Sequence, residues 1–109
     1  MNKYSGSLFY LSTDSLKYDM IKSNDKTSFY TKIEGCLLSM NDNIDGKEFY
    51  VYILDSRITP IIPSKDDVPN IRITHERWIF GNVKIRCIGK IRVEKTDDGY
   101  TYTTINEMG

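Results

Sequence analysis

The chain has 109 residues, 28% charged and 39% hydrophobic, with 15 Lys plus Arg against 15 Asp plus Glu and a formal net charge of zero. That length fits one domain, leaves no room for two independent cores, and buries roughly 65% of the unfolded surface without disulfide or metal staples. Zero net charge argues against a bulk electrostatic partner such as nucleic acid or a membrane surface; a local basic patch and a homo-oligomer both remain compatible with it.

Cys36 and Cys87 are the only cysteines and sit in no short metal or redox spacing. The Met1–Tyr4 start lacks the apolar run of a signal peptide, and the longest apolar stretch, Phe49 to Leu54, is too short to span a bilayer. A reduced, cytoplasmic chain with no membrane partner is expected. Eight Tyr, four Phe and one Trp, with many Ile, Lys and Asn, give the composition of an AT-rich genome, common in some bacteria and in many phages.

In chain order, Tyr4 to Leu11 reads as a first strand weakened by Gly6. Ser12-Thr13-Asp14 offers helix-capping side chains, and Leu16, Met20 and Ile21 follow at near-helical spacing. One short helix over Asp14 to Lys22 is expected, with a strand as the alternative. Asn24-Asp25-Lys26 signals a turn. Ser28 to Met40 alternates as a strand, with Phe29, Thr31, Ile33, Gly35, Leu37 and Ser39 on one face and Tyr30, Lys32, Glu34, Cys36, Leu38 and Met40 on the other.

Asn41 to Gly46 is rich in turn formers and superficially resembles an EF-hand calcium loop. Its first position is Asn41, and its twelfth is Tyr52 where a bidentate glutamate is needed, so it reads as a hairpin loop. Lys47 to Asp55 returns as a strand, with Phe49, Val51 and Ile53 on one side and Tyr50, Tyr52 and Leu54 on the other. Apolar groups on both sides predict a central strand or a contact surface. All three prolines lie between Thr59 and Pro69, which predicts an extended loop with a short turn at Ser64 to Asp67.

Ile71 to Phe80 is expected as a strand and Val83 to Lys95 as the clearest one. In the latter, Val83, Ile85, Cys87, Gly89, Ile91 and Val93 point to a core face, and Lys84, Arg86, Ile88, Lys90, Arg92 and Glu94 to the other. Four cations would then form one row, with successive positions about 7 Å apart. Gly81-Asn82 looks like a two-residue hairpin turn, which would pair Phe80 with Val83 and Trp78 with Ile85 and put both aromatics in the core. If the chain ran straight through instead, Trp78 and Phe80 would share parity with Lys84 and Arg86. Asp98-Gly99 signals a true hairpin, closed by Tyr100 to Ile105.

The expected fold is mainly β: a small antiparallel barrel or sandwich of about six strands, with at most one short helix. No catalytic constellation stands out. His75 is the sole histidine, any Ser-His-Asp or Cys-His site would have to use it, and no glycine pair has phosphate-loop spacing. No metal or cofactor is expected.

The leading expectation is a non-catalytic protein that binds another protein through tyrosine-rich strands, Tyr50 and Tyr52 first among the contacts. A phage- or mobile-element-type accessory or inhibitor fits this profile. The alternative is a small-barrel nucleic-acid binder laying Lys84, Arg86, Lys90 and Arg92 along phosphates. The bland counterpart of that row is an ordinary solvated sheet face neutralised by cross-strand acids.

Overall fold

Hydrophobic side chains in this chain alternate between two cores, and that division shapes the sheet. A computed structural model describes residues 7–14, 20–40, 43–55 and 57–105. It is mainly β, with strands β1 (Phe9–Ser12), β2 (Met20–Ile21), β3 (Lys26–Tyr30), β4 (Glu48–Leu54), β5 (Glu76–Phe80), β6 (Val83–Thr96) and β7 (Gly99–Ile105), and short helices α1 (Ile33–Leu38) and α2 (Ile71–Thr74). The strands form one antiparallel sheet in the order β2-β6-β4-β1-β3-β5, with β7 added beside β6. No described helix is long and apolar enough to cross a membrane.

The sheet curls because two segments bend together. Met20 and Ile21 pair with Lys84 and Val83, and the same two chain segments pair again from Lys26–Phe80 to Tyr30–Glu76. At the corner, residues 22–25 face residues 81–82, so one side of the ladder is longer and the ribbon must turn. The Gly81 N–H donates to the Asp25 carbonyl at 3.2 Å and the Ser23 N–H to the Asn82 side-chain oxygen at 3.1 Å, which holds the corner. Gly81 has φ +84, a conformation that favours glycine.

Each strand from β6 through β4, β1 and β3 to β5 is antiparallel to the next, so β5 and β6 run in the same direction. Gly81-Asn82 is therefore a corner between collinear strands. The expected hairpin and its Phe80–Val83 and Trp78–Ile85 pairs are corrected accordingly. The ladder wraps the inner face around Leu8, Phe29, Tyr52, Ile79, Val83 and Ile85, all buried. The sheet stays open rather than closing as an unbroken barrel.

The second core lies on the outer face. Leu37 of α1 covers Phe49, Val51, Ile91 and Val93, with Ile44 sealing one end. Ser28 to Met40 was expected as one strand, but the strand stops at Tyr30 and α1 begins at Ile33. Ile33, Leu37 and Met40 all pack on this cluster. Their i, i+4, i+7 spacing is helical, and burying that stripe outweighs the weak two-residue alternation. Gly35 lets α1 touch α2: a Cβ there would sit on the Thr74 carbonyl oxygen.

Ile71 to Phe80 is likewise divided. α2 ends at His75, whose φ of 56 reverses the chain into β5. The expected helix over Asp14 to Lys22 falls mostly on residues 15–19, outside the described part, and Met20–Ile21 is strand. The first strand covers Phe9–Ser12, with residues 4–6 outside the described part. The proline loop and its turn are present, with Asp67 and Val68 N–H groups donating to the Ser64 carbonyl at 3.1 and 2.9 Å. The Asp97-Asp98 turn joins β6 and β7 as a hairpin.

Candidate functional site

Strand parity decides which side chains reach solvent together. In β6 that parity is broken once. Tyr52 faces Cys87 and Val51 faces Gly89, which leaves Ile88 as an extra residue, a bulge. Upstream of it Val83 and Ile85 point to the inner core; downstream Ile91 and Val93 point to the outer one. The expected single core face of β6 is thus two half-faces. The expected row of cations is split likewise, with Lys84 and Arg86 on the outer side and Lys90 and Arg92 on the inner side.

Lys90 and Arg92 gather with Tyr50 around Glu48. Arg92 Nη2 and Nε donate to Glu48 Oε2 at 2.8 and 3.3 Å, and Lys90 Nζ lies 3.2 Å from Oε1. Lys90 Nζ also sits 4.9 Å from the Tyr50 ring centroid. Hydrogen bonds from Arg92 and then Lys90 hold the Glu48 carboxyl below the usual carboxylate range, and Glu48 in turn raises the Arg92 guanidinium. Two cations share one carboxylate, so the cluster keeps a net positive charge, but both cations are already engaged and a phosphate would have to compete with Glu48 for them. Tyr52, paired with Tyr50 in the sequence reading, is only 4% exposed and belongs to the inner core.

The outer face of the corner carries what the sequence reading placed in the core. Trp78 and Phe80 lie opposite Ser28 and Lys26, on the side away from Phe29 and Ile79. They share this outer parity with Lys84 and Arg86, as the straight-through alternative implied. Trp78 is pinned. Its Nε1–H donates to Glu76 Oε2 at 2.7 Å, and Lys26 Nζ stands 4.3 Å over the indole ring. Glu76 also accepts from Ser28 Oγ at 2.7 Å and from the Tyr30 hydroxyl at 3.4 Å.

Ile61, from the proline loop, pairs with Trp78 through two main-chain hydrogen bonds of 2.8 Å. Its side chain therefore lies on the same outer side. Phe80 is 53% exposed and Ile61 50%, flanking the half-buried Trp78. A large aromatic beside an aliphatic group, both open to water, is the costly kind of exposure. Trp78 and Phe80 were missed as a surface because Gly81-Asn82 mimics a hairpin turn, and Ile61 because its bridge to Trp78 is long-range. The available signal was the parity shared by Trp78, Phe80, Lys84 and Arg86.

His75, the sole histidine, forms the C-cap of α2 in a left-handed conformation. It is exposed at the end of α2, beside an open cleft lined by Lys32, Glu34, Leu38 and Ile73. Among the described residues no group of three His, Cys, Asp or Glu side chains could hold a metal. Cys36 and Cys87 are free thiols. Burial pushes the Cys36 thiol from 9.0 up to about 12, and burial likewise pushes the Tyr30 hydroxyl from 10.0 up to about 12.

Both folded values lie above the unfolded ones, so their stabilisation is complete below pH 9 and is lost as pH rises through the folded values. Chemical denaturation at stepped pH is expected to give a flat stability from neutral pH up to 9 and a fall from there toward 12. A thiol reagent at neutral pH is expected to label exposed Cys87 rapidly and Cys36 only at the rate of unfolding. Equal labelling rates would contradict the burial of Cys36.

No family model, curated protein or solved structure matches the chain.

Proposed function

We propose that this is a non-catalytic binding protein whose partner is another protein, engaged through the outer face of the β5–β6 corner. The observation that carries the reading is the pinned Trp78 flanked by half-exposed Phe80 and Ile61. Aromatic side chains fixed before contact lose little entropy on binding, and an apolar centre rimmed by charge is how protein interfaces are built. Lys26, Lys84 and Arg86 supply that rim on the same outer side.

A nucleic-acid partner is the second reading, favoured by Lys26, Lys84 and Arg86 sharing the outer side with Trp78 and Phe80. Two features weigh against it. Lys26 already stands over the indole on which a base would stack, and the other two cations, Lys90 and Arg92, lie on the opposite side around Glu48.

The test uses wild type and Phe80→Asp as immobilised baits under identical conditions. A protein held by wild type and lost by the folded variant supports the reading; a protein held equally by both removes this surface from it. In parallel, the fluorescence of Trp78, the sole tryptophan, is followed during oligonucleotide titration. A change that weakens steeply with salt and is lost in Lys84→Gln/Arg86→Gln would replace the protein reading with the nucleic-acid one.

A further inference from the structure

The two-residue turn between Thr96 and Gly99 fixes the hydrogen-bond phase of the last hairpin. Thr96 and Gly99 are paired across it, and the register runs unbroken to Lys90–Ile105. In an antiparallel ladder hydrogen-bonded pairs alternate with non-bonded ones, so Gly99, Thr101, Thr103 and Ile105 bond inward to β6. The N–H and C=O groups of Tyr100, Tyr102 and Thr104 therefore point outward. Among the described residues, none supplies a hydrogen bond to them on that edge.

Nothing on this strand defends the edge. Gly99–Ile105 has no charge and no proline, and it carries tyrosine and threonine at five of seven positions, the composition that pairs most readily. The sheet treats β5 differently. There Ile61, with Pro60 beside it and Pro63 two residues on, bridges the outer edge at Trp78.

We infer that β7 pairs antiparallel with β7 of a second copy of this chain, about a two-fold axis through Tyr102, giving a dimer with one continuous sheet. The midpoint of the strand is Tyr102, so this register uses all seven residues. It sets outward-pointing residues against each other: Tyr102 against Tyr102, and Tyr100 against Thr104 twice. Each of these pairs exchanges two main-chain hydrogen bonds. On the other face Thr101 meets Thr103 twice. Aromatic and threonine cross-strand pairs are favourable, and no like charges meet within the strand. A formal net charge of zero leaves no long-range repulsion between copies.

Sedimentation equilibrium over a range of chain concentrations tests this with two variants at the exposed positions Thr101 and Thr103. Thr101→Lys/Thr103→Lys puts lysine against lysine in both symmetric pairs, and the dimer is expected to weaken at least tenfold. Thr101→Lys/Thr103→Glu puts lysine against glutamate in the same two pairs, and the dimer is expected to return to wild-type strength or better. The complementary variant also shows that substitution at these sites leaves the fold intact. Wild type that remains monomeric at every concentration overturns the inference. So does a dimer that responds to neither variant, or to both alike.

Discussion

Replacing Phe29, the largest fully buried side chain among the described residues, with alanine is expected to remove about 4 kcal/mol of folding stability. Phe29 has no exposed surface and sits among Leu8, Tyr52, Ile79, Val83 and Ile85, inside the curl of the sheet. Its ring centroid lies 5.8 Å from that of Tyr10 at a 47° tilt, an edge-biased contact that adds to simple burial. Truncation leaves a cavity bounded by five strands whose backbones are tied to one another, so collapse around it is limited. Domains of this size hold only about 5–15 kcal/mol in total, so the variant approaches its unfolding threshold. Urea denaturation reads the effect as a lower midpoint with unchanged slope. A loss under about 1 kcal/mol would mean that the inner face is not packed as described.

Gly35→Ala is expected to cost about 3 kcal/mol by the opposite mechanism, overpacking. Alanine is the better helix former, so an isolated α1 would gain from the change. In the folded chain the new methyl meets the Thr74 carbonyl oxygen, with the Tyr30 Cβ 3.4 Å away on another side. Thr74 is 1% exposed and its backbone N–H is bonded to the Asn70 carbonyl at 3.0 Å, so the obstacle is fixed main chain. The helices must part, and with them Leu37 lifts off Phe49 and Val93. Denaturation of the variant against wild type checks the sign: a stabilised variant would show that α1 and α2 are not in contact.

How much of this was legible in the sequence depends on where the deciding partner lies. Strands β4, β6 and β7 were readable because their alternation is strong and the Asp98-Gly99 turn marks the last hairpin. Helix α1 was hidden under a run that also alternates, although Ile33, Leu37 and Met40 carried the helical period. Only the second core, assembled from strands far away in sequence, decides between the two periods. The bulge left a trace as well, since Ile88 interrupts the cations in the expected basic face. An extra residue, however, is defined only by the strand it faces, and β4 is more than thirty positions away.

The candidate site followed the same rule. Tyr50, Lys90 and Arg92 do share a side of the sheet, but the sequence could not show that Glu48 would draw both cations to itself. Trp78 and Phe80 were assigned inward because a Gly-Asn pair between two strands ordinarily makes a hairpin. Strand direction, set by four successive antiparallel pairings, reverses that assignment.

The extra residue at Ile88 has a consequence for how the molecule comes apart. Because β6 changes sides there, one uninterrupted strand donates Val83 and Ile85 to one core and Ile91 and Val93 to the other. Neither core can release its share of β6 without straining the ladder that serves its neighbour. The strand acts as a common axle, so loss of α1 cover and opening of the curl belong to one cooperative event, and slow-exchanging amides should lie along β6 on both sides of the bulge.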